Sequence, residues 1–264
     1  MKRTPGIAQI AAAIIRDMVD LGPAVTLAGL GRHLSGDPIV LRLADIGPIL
    51  IRRGDSDFHM VRQVFRDRMY AILNETVSER VNARYRDILS RGRMPVIVDA
   101  GANIGSATLW FKHQYPDAAI VAIEPDPGSY ALLARNIAGR SNVVALQAAI
   151  GSQAGHVVLH KGDTSCMTTT ERADAGCPVM TIPQAAAQFA NGELLIVKID
   201  IEGFEEDLFA DNLDWVDEAF AVFVEPHDWR FADRYTSRNF QRVFAARERQ
   251  LLINGENLLY VKRG

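Results

Sequence analysis

Val96-Ile-Val-Asp99-Ala-Gly101-Ala-Asn103-Ile-Gly105-Ser-Ala-Thr-Leu-Trp-Phe111 is the stretch on which the reading of this chain turns. A short apolar run breaks at an acid and a glycine-spaced turn, then resumes with helical periodicity, so it reads as strand, tight loop and helix. Gly101 and Gly105 permit positive φ and a close backbone approach to a ligand. A dinucleotide fingerprint requires G-x-G-x-x-G, with a pyrophosphate on the helix N-terminus. Here the spacing is D-x-G-x-N-x-G: Asn103 replaces the middle glycine, and Asp99 would set a carboxylate beside any phosphate. The loop therefore favours a cationic ligand over an anionic one.

Downstream, Ala119-Ile-Val-Ala-Ile-Glu124-Pro125-Asp126-Pro reads as a second buried strand ending in an acid. Glu124 falls about twenty residues past the loop, where a carboxylate can accept hydrogen bonds from both hydroxyls of a ribose. A ligand with a ribose, a cationic centre and an amino-acid tail fits both features, and S-adenosylmethionine has all three. Asp99, Gly101, Asn103, Gly105, Glu124, Pro125 and Asp126 are the candidate cofactor residues from these two turns. Ala148, Ala149 and the neighbouring Gln147 are expected against adenine, and Asp200 closes the set.

Several segments in order resemble the FkbM-type S-adenosylmethionine-dependent methyltransferases. They are Val98-Asp-Ala-Gly-Ala-Asn-Ile-Gly105, then Ala122-Ile-Glu-Pro-Asp-Pro127 with Leu132 and Asn136-Ile137. Ala148-Ala-Ile-Gly-Ser152 with Gly155 and Val197-Lys-Ile-Asp-Ile-Glu-Gly-Phe-Glu205 follow. The resemblance spans roughly residues 95 to 228 and departs at Thr181-Ile182-Pro183, where an aspartate is usual. It implies methylation of a hydroxyl oxygen, and a segment before the cofactor loop that can close over the cofactor. Arg53 and Asp57 are the residues to watch in that segment.

From residue 95 buried strands alternate with helices, the signature of a parallel sheet with crossover helices. The expected fold is α/β: a class I methyltransferase (Rossmann-like), mostly parallel seven-stranded sheet with an N-terminal helical and hairpin extension. Residues 1–93 are assigned to the extension and 94–264 to the cofactor domain. Strands are expected at 96–100, 119–124, 143–147, 194–199 and 219–224, with a closing hairpin through Asn254-Gly255. His156-Val-Val-Leu-His-Lys161 reads as an extra antiparallel strand at the sheet edge, and 162–178 as a long polar loop that can act as a lid.

Asp200 and Glu225 mark the carboxyl ends of two strands, where ligands bind in open α/β sheets. With Glu202 and His227 they are the candidates for removing a proton from an alcohol. A near-neutral imidazole suits His227 as general base, oriented by Asp200 or Glu225. A magnesium or manganese ion held by the same oxygens and imidazole is the other device, acidifying the hydroxyl directly.

At 264 residues, 48% hydrophobic and 23% charged, the composition is globular, with core enough for one α/β domain and an extension. A net charge of −3 advertises neither nucleic acid nor an anionic membrane as a partner. Ten arginines between 52 and 93 are interleaved with acids and read as a salt-bridged face; RNA or protein docking is the competing reading. Cys166 and Cys177 lack metal or disulfide spacing and read as free thiols. Ile7 to Ile15 follows a charged start, but Arg16, Asp17 and Asp20 follow without a cleavage site, so an amphipathic helix is expected. No apolar run approaches the roughly 18 residues of a membrane span. These readings together place the protein in the cytoplasm, acting on a glycan or small-molecule acceptor; a non-catalytic nucleotide-binding module is a further alternative.

Overall fold

The structure is a computed structural model and describes residues 6–31, 36, 38–162, 168–231 and 233–263. The chain opens with helices α1 (Ile7–Asp20) and α2 (Pro23–Leu30), then hairpin strands β1 (Ile39–Leu43) and β2 (Gly47–Ile51). Pro23 starts α2 from the first turn, where its missing N–H would have no partner anyway. Helix α3 (Asp57–Val61) runs into a π-helical turn at Arg62–Arg66, and α4 (Glu75–Ser90) follows. The cap of α4 is Asn74, whose Oδ1 accepts the Val77 N–H at 3.0 Å.

The alternating region supplies β3 (Met94–Ala100), α5 (Ser106–Gln114), β4 (Ala119–Ile123), α6 (Pro127–Asn136) and β5 (Val143–Leu146). After β6 (Ala149–Ile150), β7 (Gly155–His160), β8 (Thr169–Ala173) and β9 (Cys177–Met180) come α7 (Ile182–Ala186) and β10 (Gly192–Ile199). Helices α8 (Glu205–Leu208) and α9 (Asp214–Glu218) precede β11 (Ala221–Val224), α10 (Arg238–Ala245), β12 (Arg249–Asn254) and β13 (Asn257–Lys262).

Among the described residues, seven strands form one sheet in the order β12-β13-β11-β10-β3-β4-β5. β10, β11, β3, β4 and β5 pair in parallel, and β13 is antiparallel to both of its neighbours. This is the mostly parallel seven-stranded class I sheet expected from sequence, with β13 of the closing hairpin as its reversed strand. The period-2 geometry of a strand explains the two cores. Val96, Val98 and Ala100 face one side with Ile182, Trp215 and Phe240 of α7, α9 and α10. Ile97 faces the other with Val77, Val81 and Ile88 of α4 and Trp110 and Phe111 of α5.

A third cluster joins the N-terminal segment to α5 and α6: Leu41, Ile49, Ile51, Phe58 and Val61 pack with Ile104, Leu109, Leu132 and Leu133. Ile49 and Ile51 are completely buried there, and each such side chain contributes about 1.5–3 kcal/mol of transfer free energy. The hairpin is thus fixed over the helix that follows the glycine loop.

One strand assignment is corrected. β7 does not extend the main sheet; it belongs to a separate four-stranded sheet in the order β6-β9-β7-β8. Much of the stretch read as a polar lid is β-structure, since 169–173 and 177–180 are β8 and β9. Residues 163–167, with Cys166, lie outside the described residues. Cys177 is a free thiol.

Candidate active site

Strand register brings four chain segments to one level. Ala100 pairs with Ile123 of β4 and with Ile199 of β10, and Ile199 pairs with Val224 of β11. The next residues, Gly101, Glu124, Asp200 and Glu225, therefore emerge together at the carboxyl edge. They line a cavity of about 300 Å³ with Asn103, Pro125, Ala148, Ala149 and His227. His59, Met60 and Gln63 of the N-terminal segment and Glu256 of the last hairpin form the opposite wall. Gln63 Nε2 donates to Glu256 Oε2 at 3.1 Å and ties those two pieces together.

Three of the residues assigned to the cofactor from sequence do not reach this lining. Asp99 is fully buried beneath it, with Oδ2 accepting the Thr108 hydroxyl at 2.6 Å and Oδ1 3.1 Å from Lys198 Nζ. Gly105 is the left-handed N-cap of α5, and a Cβ there would stand 2.8 Å from Leu133 Cδ1. Asp126 caps α6 by accepting the Ser129 N–H at 2.9 Å. Gln147 lies along a second, shallower depression instead. Gly101 does line the cavity, but its requirement for glycine comes from the protein: a Cβ would fall 1.7 Å from the Asp200 carbonyl oxygen.

Lys198 organises the floor. Its ammonium is buried on β10, 2.6 Å from the Gly101 carbonyl, 3.1 Å from Asp99 and 3.5 Å from Asp200. Burial opposes its charge, yet Asp99, Tyr70 and Asp200 raise its pKa well above that of an ordinary lysine. The Asp99 charge is thereby spent on Lys198, so the acidity of the cavity comes from the strand-end carboxylates and not from the loop's aspartate.

Glu124 is buried with both oxygens engaged: Oε2 accepts the Asn103 N–H at 2.8 Å and Oε1 the Asp126 N–H at 2.9 Å. Each carboxylate oxygen keeps a further lone pair for a hydroxyl donor. Burial pushes its pKa up to about 7 against those two backbone donors. Asn103 takes φ +49°, a left-handed conformation that asparagine tolerates.

At the mouth, His227 is 1% exposed and its Nδ1 meets Glu205 Oε1 at 2.9 Å. Nε2 lies 3.6 Å from Asp200 Oδ1 and 3.7 Å from Glu202 Oε2. Burial opposes protonation, but the Glu205 hydrogen bond and the charges of Glu205, Asp200 and Glu202 raise its pKa to about 10. These charges favour the protonated imidazole, whereas the sequence reading takes a near-neutral imidazole as the general base. Burial and the nearby Asp200 push Glu225 up to about 8 and Glu202 up to about 7. Glu202 sits at φ +54° and is held by Arg230 Nη1 at 2.6 Å.

The segment watched for closure is anchored through Arg52 rather than Arg53. Arg52 holds Asp57 through its backbone N–H at 2.7 Å and its guanidinium at 2.7 and 3.0 Å, and reaches Asn103 Oδ1 at 3.4 Å and Ser129 Oγ at 3.3 Å. Arg53 instead donates to the Gly31 carbonyl at 2.7 Å.

The family profile described as "Methyltransferase FkbM domain" matches residues 99–244, more than half of the chain. The chain belongs to the FkbM methyltransferase family. Methyltransferase sdnD of Sordaria araneosa is 47% identical over 76 residues, which is 28% of this chain and 29% of that protein. Methyltransferase 1 of Beauveria bassiana (strain ARSEF 2860) is 40% identical over 65 residues, 24% of this chain and 26% of that protein. The chain's matches thus span less than a third of either fungal relative. A solved structure, cofactor-bound Rv0187 from MTB, aligns over 98% of both chains at 11% identity and a TM-score of 0.42.

Sequence reading gave no role to Lys198, Glu205 and Arg230 within the FkbM match, or to Arg52 before it. Lys198 had a signal, a lone cation in the apolar run Leu194-Leu-Ile-Val-Lys-Ile199 next to a strand-end acid, since an unpaired charge is rarely buried. Glu205 and Arg230 had none, because their partners, His227 and Glu202, are 22 and 28 residues away.

Proposed function

We propose that this FkbM chain uses S-adenosylmethionine to methylate a hydroxyl oxygen of a glycan or small-molecule acceptor. The observation that carries the reading is a cavity at the carboxyl edge with Glu124, Asp200 and Glu225 placed at successive strand ends around a glycine floor. That donor set fits the cofactor's chemistry: Glu124 has lone pairs for ribose hydroxyls, and the Asp200 carboxylate suits a cationic ammonium or sulfonium. Ala148, Ala149 and Pro125 offer flat, largely apolar contact for a base. When bound, S-adenosylmethionine supplies an electrophilic methyl group on a sulfonium.

The chain's own work is alignment, exclusion of water and proton removal. His59, Met60 and Gln63 wall the cavity from the N-terminal side, and Trp229, 74% exposed, stands at its rim where an acceptor ring can stack. The charges around His227 favour its protonated form, so the acceptor's proton goes to a carboxylate; Asp200 lines the cavity beside it, whereas Glu225, pushed up to about 8, is itself mostly protonated at neutrality. A pyrophosphate cofactor is disfavoured by the same three acids.

The competing RNA or protein methylation reading draws support only from the arginines of residues 52–93. Most of those are ion-paired: Arg84, Arg91 and Arg93 converge on Glu193, Arg62 and Arg66 on Asp17, and Arg86 on Glu79. Among the described residues no helix is long and apolar enough to cross a membrane, and the free thiol of Cys177 agrees with a cytoplasmic setting. The test is a product-detecting screen with methyl-labelled cofactor over activated sugars, lipid-linked glycans and small alcohols. Label on a hydroxyl product upholds the reading; label found solely on RNA or protein, falling steeply with salt, overturns it.

A further inference from the structure

We propose that His227, Asp200 and Glu202 form a binding site for a divalent transition-metal ion, manganese being the class that fits best, with Glu205 as the residue that orients the imidazole. His227 Nε2 makes no hydrogen bond among the described residues, although the ring is almost wholly buried, and it lies beside Asp200 and Glu202, which line the cavity with it; an ion there would replace the Nε2 proton. One ligand atom from each of the three residues lies within 4.8 Å of the others. Ligand atoms around a common ion at ~2.1 Å stand roughly 3.0 to 3.4 Å apart. The 3.6 and 3.7 Å separations from Nε2 to Asp200 and Glu202 need a contraction of only a few tenths of an ångström to match.

The surroundings are those of a ligating histidine. Nδ1 is bound at 2.9 Å to the fully buried carboxylate of Glu205, the arrangement that fixes tautomer and ring orientation in metal sites. Gly203 N donates to the same Glu205 oxygen at 3.3 Å. Glu202 holds a left-handed backbone conformation, and Arg230 Nη1, donating to its Oε2 at 2.6 Å, fixes the carboxylate beside the imidazole. One imidazole and two carboxylates favour manganese and its neighbours over magnesium, which prefers oxygen alone. The inference rests on the methyl-transfer reading for its role, which is to acidify an acceptor hydroxyl at the mouth, but not for the binding itself.

The experiment is a Mn²⁺ titration of the chelator-treated full chain, followed by loss of the free-ion paramagnetic resonance signal. One equivalent is expected to bind, and pulsed resonance on the unaltered chain should show coupling to one imidazole nitrogen. His227→Gln should weaken binding at least tenfold, and Glu205→Gln by roughly ten- to a hundredfold. No Mn²⁺ bound, or bound Mn²⁺ without nitrogen coupling, overturns the proposal. Calorimetry with S-adenosylmethionine on the same metal-free sample separates the two readings. Cofactor binding without an ion site sinks this inference alone; an ion site without cofactor binding upholds it and sinks the cofactor assignment.

Discussion

The α carbon of Gly101 lies so close under the main chain of Asp200 that a methyl group on it would fall 1.7 Å from the Asp200 carbonyl oxygen. The glycine loop and the strand-end acid are therefore one packed unit, at φ +77°. Gly101→Ala is expected to destabilise the fold by about 3 kcal/mol, through overpacking and backbone strain together. Denaturant unfolding measures this, and the same variant should lose most cofactor affinity because the loop and Asp200 cannot keep their spacing.

Lys198 and Asp99 are a buried pair, and removing one partner leaves the other charged and unmatched. Lys198→Met is expected to cost about 3–5 kcal/mol. The double variant Lys198→Met with Asp99→Asn should recover a large part of that loss, a cycle that two independent surface residues would not produce. Any effect of Asp99→Ala on cofactor affinity should come with lost stability, since the carboxylate supports the loop from below.

Glu124 titrates near neutrality because burial raises its pKa from the ordinary carboxylate range to about 7. Between about pH 4.5 and 7 the folded chain holds a proton that the unfolded chain has released. Its contribution to stability is thus complete at acid pH and is lost as pH rises through 7. Ribose hydroxyls bind the ionised form, so S-adenosylmethionine affinity should rise roughly tenfold from pH 6 to pH 8 by the fraction ionised. Glu124→Gln should flatten the Glu124 part of that slope in calorimetric titrations; an unchanged slope would show that another group sets it.

The parts of the site legible in sequence are local or periodic. A strand, a glycine turn and a helix lie within 16 consecutive residues from Val96 to Phe111, and each strand-end acid follows its own apolar run. The class I sheet followed from that alternation. What sequence could not fix was where each side chain points. Asp99 and Glu124 both close buried strands, yet one turns under the loop to Lys198 and the other faces the cavity. The second sheet escaped because Thr169-Thr-Glu-Arg-Ala173 is polar and half-exposed, so it has no apolar alternation to read. The charge state of His227 depends on Glu205, 22 residues away in sequence.

Asp57 is fully buried and gripped by Arg52, which also reaches Asn103 in the loop and Ser129 on α6. Asp57→Ala should cost about 3 kcal/mol by leaving a half-buried guanidinium poorly matched. Hydrogen exchange should then quicken in β2 and α3 more than in β10, since the hairpin loses its anchor while the central strand keeps its own core.

The place where the cofactor binds is tested most directly by calorimetric titration of S-adenosylmethionine into the parent chain and Glu124→Ala. One-to-one binding to the parent is expected, weakened by about 1–3 kcal/mol in the variant through loss of charged hydrogen bonds. No binding to the parent, or equal affinity in both proteins, would contradict it.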